Sequence, residues 1–291
     1  VIANILTAKT KTIRSALSAL LLLSLSAIAQ VRPLDELPRE QLRVFLKGHM
    51  GDWRLDTDQT KGRPAPLAHK PPPLDAHLIA LPRPDTLHLG AMPLKDAIGQ
   101  RRSRRAFSDA PLTLSELSFL LWCTQGITKI ERDKEGQIVN EFRTVPSGGA
   151  RHPFETYLLL NRVTSLIPGL YRYLPLDHAL VLLRADDALE AKSVEACYDA
   201  AFVGQAAVVF VWAALPARTE WRYGPIAHRM IAIEAGHVAQ NLALAVESLG
   251  AGCCPMLGYN QRKMDALIGV DGDEEFTIYL APVGKVRHDT P

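Results

Sequence analysis

Four arginines and a serine occupy five consecutive positions, Arg101-Arg102-Ser103-Arg104-Arg105, with Ala106 and the aromatic Phe107 behind them. Guanidinium forks grip phosphate or carboxylate oxygens two at a time, and a serine adds a hydroxyl or amide donor. The chemistry open to this stretch is oxyanion binding. A plainer use is also open. Leu94, Ala97 and Ile98 follow the i, i+3, i+4 spacing of one helix face. The arginines would then stand at that helix's C-terminal end, where unpaired carbonyls favour cations. A second stretch, Pro146-Ser147-Gly148-Gly149, pairs glycines with Pro and Ser. Such a run lets backbone approach a ligand closely, or simply turns the chain into the strand expected over 155–160.

The elements that must carry these stretches follow from patterning. Thr113-Leu114-Ser115-Glu116 is a capping-box pattern opening a helix that stops near Gly126. Residues 129–141 are polar and contain Glu135-Gly136, which predicts an exposed loop. The segments 169–173 and 179–183 flank Pro175-Leu176-Asp177-His178 as a hairpin. The run 206–213, AAVVFVWA, is short and β-branched and predicts a buried strand. Pro225 suits the first position of the longest helix, 226–249, which ends at Gly250. That helix is apolar on more than one face, so it is central or lies at a subunit interface. Asn260 caps a short helix to Leu267, and Phe276, Ile278 and Leu280 alternate on a final strand. Interspersed helices and hairpins predict an α+β fold with a mixed, mainly antiparallel sheet surrounded by helices.

Composition sets bounds. The 291 residues are 47% apolar with a formal net charge of +2, so a substantial core is available and there is no general electrostatic case for nucleic acid. Cys123, Cys197, Cys253 and Cys254 show no C-x-x-C spacing, hence neither a zinc nor a disulfide framework, and the adjacent pair reads as small core residues. Gly250-Ala251-Gly252 follows a helix where a dinucleotide fingerprint must follow a strand, and no P-loop occurs. No metal spacing is present. His237, inside the long helix, reads as a satisfied core group. Tyr171 and Tyr173 alternate on one strand and read as packing residues.

Three segments are expected. Residues 1–29 form a signal peptide: Lys9, Lys11 and Arg14, an apolar run over 15–28 too short for a membrane span, and the small-x-small Ala27-Ile28-Ala29. The alternative is a spurious upstream extension, since the chain opens with Val1. An exported protein would be periplasmic or secreted, otherwise cytoplasmic. Residues 30–92 are a proline-rich arm that wraps the domain or a partner subunit, or else a linker. Residues 93–291 are the main domain.

The ordered blocks RRSRRAF (101–107), LSFLLWCTQGI (117–127), PSGGARHPFETY (146–157), PGLYRY (168–173), WRYG (221–224), EAGHVAQNLAL (234–244) and DGDEEFTIYLAPVGK (271–285) resemble the nitroreductase superfamily, specifically its SagB-type dehydrogenase branch. The resemblance implies an FMN-binding fold, usually a homodimer with flavin at the interface. It assigns Arg101, Arg102, Ser103 and Arg105 to the FMN phosphate and ribityl chain, and Pro146, Ser147 and Gly148 to the flavin edge. Met256, Leu257 and Gly258 align with a loop presenting backbone amides to the isoalloxazine, where an N–H stabilises reduced flavin. Gly284 and Lys285 align with a second phosphate contact. The C-terminal extension that embraces the partner in many members is expected to be missing or shortened here, with the proline-rich arm as a substitute in the dimer.

Heterocycle-forming members of the branch use a lysine–tyrosine pair to oxidise azoline rings, and here Arg222-Tyr223 stands at that place. Arginine keeps its proton, so Arg222 is a poor base; it binds an acidic substrate or stabilises an anion, leaving Tyr223 to exchange the proton. Alternatively both pack at a strand-to-helix turn. The resemblance thus implies an FMN-dependent oxidoreductase acting on a small molecule or peptide. Alternatives are an NAD(P)H-dependent nitro or quinone reductase and a non-catalytic flavin-binding subunit of a peptide-modification complex.

Overall fold

The computed structural model describes residues 38–47 and 56–287, in two compact units divided after Gly48. The expected signal peptide lies outside the described residues. The first unit's described part is a short helix, α1 (Arg39–Val44).

The second unit is built on a seven-stranded sheet in the order β1-β6-β5-β4-β7-β9-β8. Its strands are β1 (Leu78–Ala80), β4 (Phe154–Leu160), β5 (Gly169–Leu174), β6 (Ala179–Ala185), β7 (Val208–Ala214), β8 (Ala251–Cys253) and β9 (Phe276–Lys285). Every ladder among the described residues is antiparallel, and parallel contacts occur as the isolated bridges Ser103–Cys253 and Leu112–Val163. The fold is α+β, as the interspersed pattern implies.

The central strands β4 and β7 read as unbroken apolar runs because both their faces are covered. Alternate residues go to opposite sides. Leu158, Leu160, Phe210 and Trp212 face one core with Leu117, Leu120 and Leu121 of α3 (Leu114–Gln125) and with Ile231, Val238, Leu242 and Val246 of α7 (Ala227–Ser248). Tyr157, Leu159, Val209 and Val211 face the other, with Leu189 of α4 (Leu189–Ala196) and Met264 and Ile268 of α8 (Gln261–Ile268). The full capping box forms at Thr113 and Glu116, and the Asn260 side chain accepts from Lys263 N. Tyr171 and Tyr173 are buried in the first core, and all four cysteines are free, with Cys253 and Cys254 buried.

Five local expectations need correction. Residues 129–141 are not a loop. They lie in a two-stranded hairpin, β2 (Ile127–Arg132) and β3 (Ile138–Arg143), closed by a turn in which Asp133 Oδ1 accepts from Glu135 N and Gln137 N and Gly136 has φ +82°. Polar residues suit it because most of its side chains face outward and the buried Glu141 and Arg143 pair with each other. The arginine block does follow a helix, α2 (Leu94–Gln100), but only Ala97 is buried; Leu94 is 65% and Ile98 57% exposed. The longest helix starts later than expected, because Pro225 sits in a preceding 3-10 turn (Gly224–Ile226). Two further short helices come before it, α5 (Ala201–Gly204) and α6 (Ala217–Tyr223), and α6 ends there, so Arg222 and Tyr223 close a helix rather than a strand-to-helix turn. His237 is exposed on α7, not a core group.

Proline-rich residues 56–82 pack along their own unit. Gln59 N donates to Trp221 O, Trp221 Nε1 to Arg63 O, and Arg218 Nε to Leu67 O. Lys70 Nζ meets Glu275 and Tyr157 Oη, and Arg172 Nη2 donates to Pro71 O. Proline-rich chain forms few ladder bonds of its own, so side chains of the domain satisfy its carbonyls.

Candidate functional site

The arginine block lies along the outer sheet edge made by β8. Ser103 bridges Cys253, and Arg104 N donates to Cys253 O at 2.9 Å. Gly252 permits that approach, since a Cβ there would stand 2.9 Å from Arg104 Cβ. Phe107 is buried at the other end of the block and packs on Gly284, and Ser108 N donates to Lys285 O.

The structure divides the four arginines. Arg104, absent from the expected site, is committed to Glu247 of α7 at 2.5 Å. Arg102 is exposed and donates to the carbonyls of Gly99 and Arg101, so it does serve the helix end. Arg105 is exposed and lies 5.8 Å from the Phe202 ring centroid. Among the described residues no carboxylate pairs with Arg101, Arg102 or Arg105, which leaves their charge available on one edge beside the exposed Ser103. Gly284 and Lys285 adjoin through the pairs Gly252–Gly284 and Ala251–Lys285. The Lys285 ammonium, however, is engaged by Glu116, the capping-box acid. The Glu116 carboxyl, despite the opposing effect of burial, is held below its usual range by Lys285 and Thr113.

From β8 the chain runs directly into Met256-Leu257-Gly258. Met256 N is consumed by Leu280 O at 2.9 Å. Leu257 N and Gly258 N donate to no acceptor among the described residues, and the Leu257 side chain is exposed. A cleft of about 280 Å³ opens here between Ala232, Ala235 and Gly236 of α7, Leu257, and Ile278 and Tyr279 of β9.

The Pro146–Gly149 turn is held further along the same helix. Glu234 accepts from Ser147 Oγ–H and Gly148 N–H, both at 2.7 Å. Burial pushes the Glu234 carboxyl pKa up, while these two donors oppose the shift. Gly149 has φ +58°, and a Cβ there would stand 2.7 Å from Tyr223 Oη and 2.9 Å from Arg222 Nε. The turn and the Arg222-Tyr223 pair are therefore in contact. The role of Glu234 was missed in the sequence, although its signal was present: an acid on the buried face of an apolar helix needs donors.

Beneath the turn, His152 N donates to Ser147 Oγ, and its ring Nε2 lies 3.0 Å from Glu141 O. Glu141 is clasped by Arg143 at 2.5 Å and His69 at 2.6 Å. Burial, then the Arg143 charge, lowers the His152 pKa to about 4. A histidine kept neutral when folded is stabilising above its unfolded pKa near 6.5, and that contribution is lost as pH falls toward 4. The expected loss is about 3 kcal/mol across this window. Urea unfolding at pH 7 and pH 4.5 should show it, and His152→Gln should flatten the dependence. An equally steep dependence in that variant would assign the loss to other groups.

A larger cleft, about 520 Å³, lies elsewhere, lined by Trp122, Ile127, Ile130, Leu176 and the Arg83–Asp85 pair. Among the described residues no cluster of His, Cys, Asp or Glu could hold a metal, and no helix is long and apolar enough to cross a membrane.

With the α+β frame and this edge in view, comparison with known proteins defines the class. Residues 98–285 match the Nitroreductase family. The chain is 33% identical over 192 residues to a candidate nitroreductase of Methanocaldococcus jannaschii, spanning 66% of this chain and 90% of that one. A structure of a candidate nitroreductase from Ralstonia eutropha superposes with TM-score 0.58 at 28% identity, covering 77% of this chain and 97% of that one. A chain of the Escherichia coli microcin synthetase McbBCD complex, with truncated pro-MccB17 bound, shares the fold at TM-score 0.53 and 20% identity, over 87% and 95% of the two chains. The chain belongs to the nitroreductase family and is an oxidoreductase of that family.

Proposed function

We propose that the chain is an FMN-dependent oxidoreductase of the SagB-type dehydrogenase kind, moving a hydride between an organic substrate and flavin N5. The supporting observation is the donor set along one sheet edge: the carboxylate-free Arg101, Arg102 and Arg105, the Ser103 hydroxyl, and the amides of Leu257 and Gly258. That set fits an anionic phosphate at one end and an acceptor-rich ring at the other. When bound, FMN supplies a two-electron acceptor; the protein supplies orientation and electrostatics. The arginines and Ser103 hold the phosphate. Leu257 and Gly258 N–H offer hydrogen bonds to ring acceptors, while Met256 N does not. Pro146, Ser147 and Gly148 line the flavin edge, fixed there by Glu234. Tyr223 exchanges the substrate proton, and Arg222, which keeps its own, binds or stabilises an anion.

The proposed unit is a homodimer with FMN at the interface. It would cover the apolar Leu94, Ile98, Ile233 and Leu257, each more than half exposed in the single chain. We also propose that residues 1–29 direct export, which would separate the enzyme from the cytoplasmic NAD(P)H pool.

An azoline ring of a modified peptide is the proposed substrate. The Methanocaldococcus relative is named for nitro reduction, which supports a second reading, a nitro or quinone reductase for which we propose NAD(P)H as electron donor. Anaerobic mixing of the flavin-loaded protein with NADH or NADPH separates them. The dehydrogenase reading predicts an unchanged flavin spectrum that dithionite still bleaches. Rapid bleaching by either nucleotide would favour the reductase.

A further inference from the structure

We propose that Arg151 and Arg222 form an oxyanion-binding site at the mouth of the candidate active site, seating the carboxylate or phosphate of an acidic substrate. This rests on the reading above that the Ser147–Gly149 turn lines the flavin edge.

Arg151 follows that turn by two residues and is half-buried. Its guanidinium lies 4.9 Å from the Trp221 ring centroid, and its Nε donates to Arg218 O at 2.9 Å. The terminal nitrogens have no acceptor among the described residues. Trp221 is itself fixed by residues 59–63, through its indole N–H to Arg63 O and its carbonyl to Gln59 N. The Arg151 fork is thus held in place before any ligand arrives, which lowers the ordering cost of binding. Arg222 stands across the turn at Gly149, exposed, with its guanidinium 5.7 Å from the Tyr223 ring centroid.

Among the described residues the neighbouring acids have other partners, Asp58 pairing with Arg63. Glu155 pairs with Arg218, Glu220 with His228, and Glu141 with Arg143 and His69. Glu234 holds the turn itself. Burial first, then the charges of Arg222 and Arg218, pull the Arg151 pKa down. Among the described residues no carboxylate pairs with either guanidinium, so the two repel each other, and a bound oxyanion relieves that repulsion.

The site is separate from the arginine block. Arg104 pairs with Glu247 at the C-terminal end of α7, whereas Arg222 lies before its first residue, Ala227. Twenty residues of helix rise about 30 Å. One phosphate cannot serve both places.

The test is calorimetric titration of the full chain with benzoate, phenyl phosphate and benzamide at low ionic strength, beside FMN affinity from fluorescence quenching. At least one anion should bind about tenfold or more tightly than benzamide, and the order of the two anions distinguishes carboxylate from phosphate. Arg222→Gln, at an exposed position, should weaken the preferred anion by about tenfold or more. Arg222→Lys should recover part of the loss, and benzamide and FMN affinities should not follow. Arg151→Gln should behave alike if it folds; Arg222→Gln decides without it. Equal affinities for anions and amide, or anion binding indifferent to Arg222→Gln, would overturn the proposal. Anion discrimination without any FMN binding would uphold the oxyanion site and remove the flavin reading instead.

Discussion

Replacing Arg102 and Arg105 together by alanine is expected to weaken FMN binding by roughly two to four powers of ten, with riboflavin affinity nearly unchanged. On the proposed reading each guanidinium would contribute a charge-assisted contact to the FMN phosphate of about 1.5–3 kcal/mol. Riboflavin lacks that phosphate, so it reports whether the variant still folds and holds the ring. Arg102 also caps the end of α2 through Gly99 O, and any loss from fraying that helix would reduce both ligands alike. Rising salt should weaken FMN binding in the native protein more than in the variant, because screening acts on the charges removed. Equal losses for FMN and riboflavin would confine the two arginines to the helix end. Arg104→Ala provides a contrast, since its charge is spent on Glu247 and its loss should register chiefly in stability.

The largest stability effect is expected at Glu155. Its carboxylate meets Arg218 Nη2 at 2.5 Å, and both residues are buried. Arg218 also donates to Leu67 O and His152 O, tying residues 56–82 to the chain beside the Pro146–Gly149 turn. Glu155→Ala strands a buried guanidinium, and breaking such a pair costs about 3–5 kcal/mol. For a domain of this size that is roughly 6–20 °C in Tm. The double replacement Glu155→Leu with Arg218→Met should recover much of the loss, because an apolar pair needs no compensating charge. A thermal melt of Glu155→Ala within about 2 °C of native would show that water reaches the pair.

Much of the frame was legible because its signals are local. The capping box at Thr113, the Asn260 cap, the 175–178 turn and the apolar run through β7 depend on residues within a few positions of one another. The β2–β3 hairpin was hidden because its polar strands satisfy Glu141 with Arg143 and with the distant His69. Leu94 and Ile98 announced an apolar face, but periodicity does not say whether the same chain covers it. The site was legible as residue types and not as partners. Nothing near Arg104 points to Glu247, and nothing near Lys285 points to Glu116, each more than a hundred residues away. Glu234 read as part of a helix pattern, and its grip on Ser147 and Gly148 exists only once α7 lies against the turn.

The proposed function requires this chain's arginine edge and the Leu257–Gly258 amides to hold FMN. Titration of FMN with the purified chain, followed by flavin fluorescence, tests it most directly. Saturable quenching with one FMN per chain is expected, with yellow protein that releases FMN on denaturation. Colourless protein whose addition leaves FMN fluorescence unquenched would contradict it.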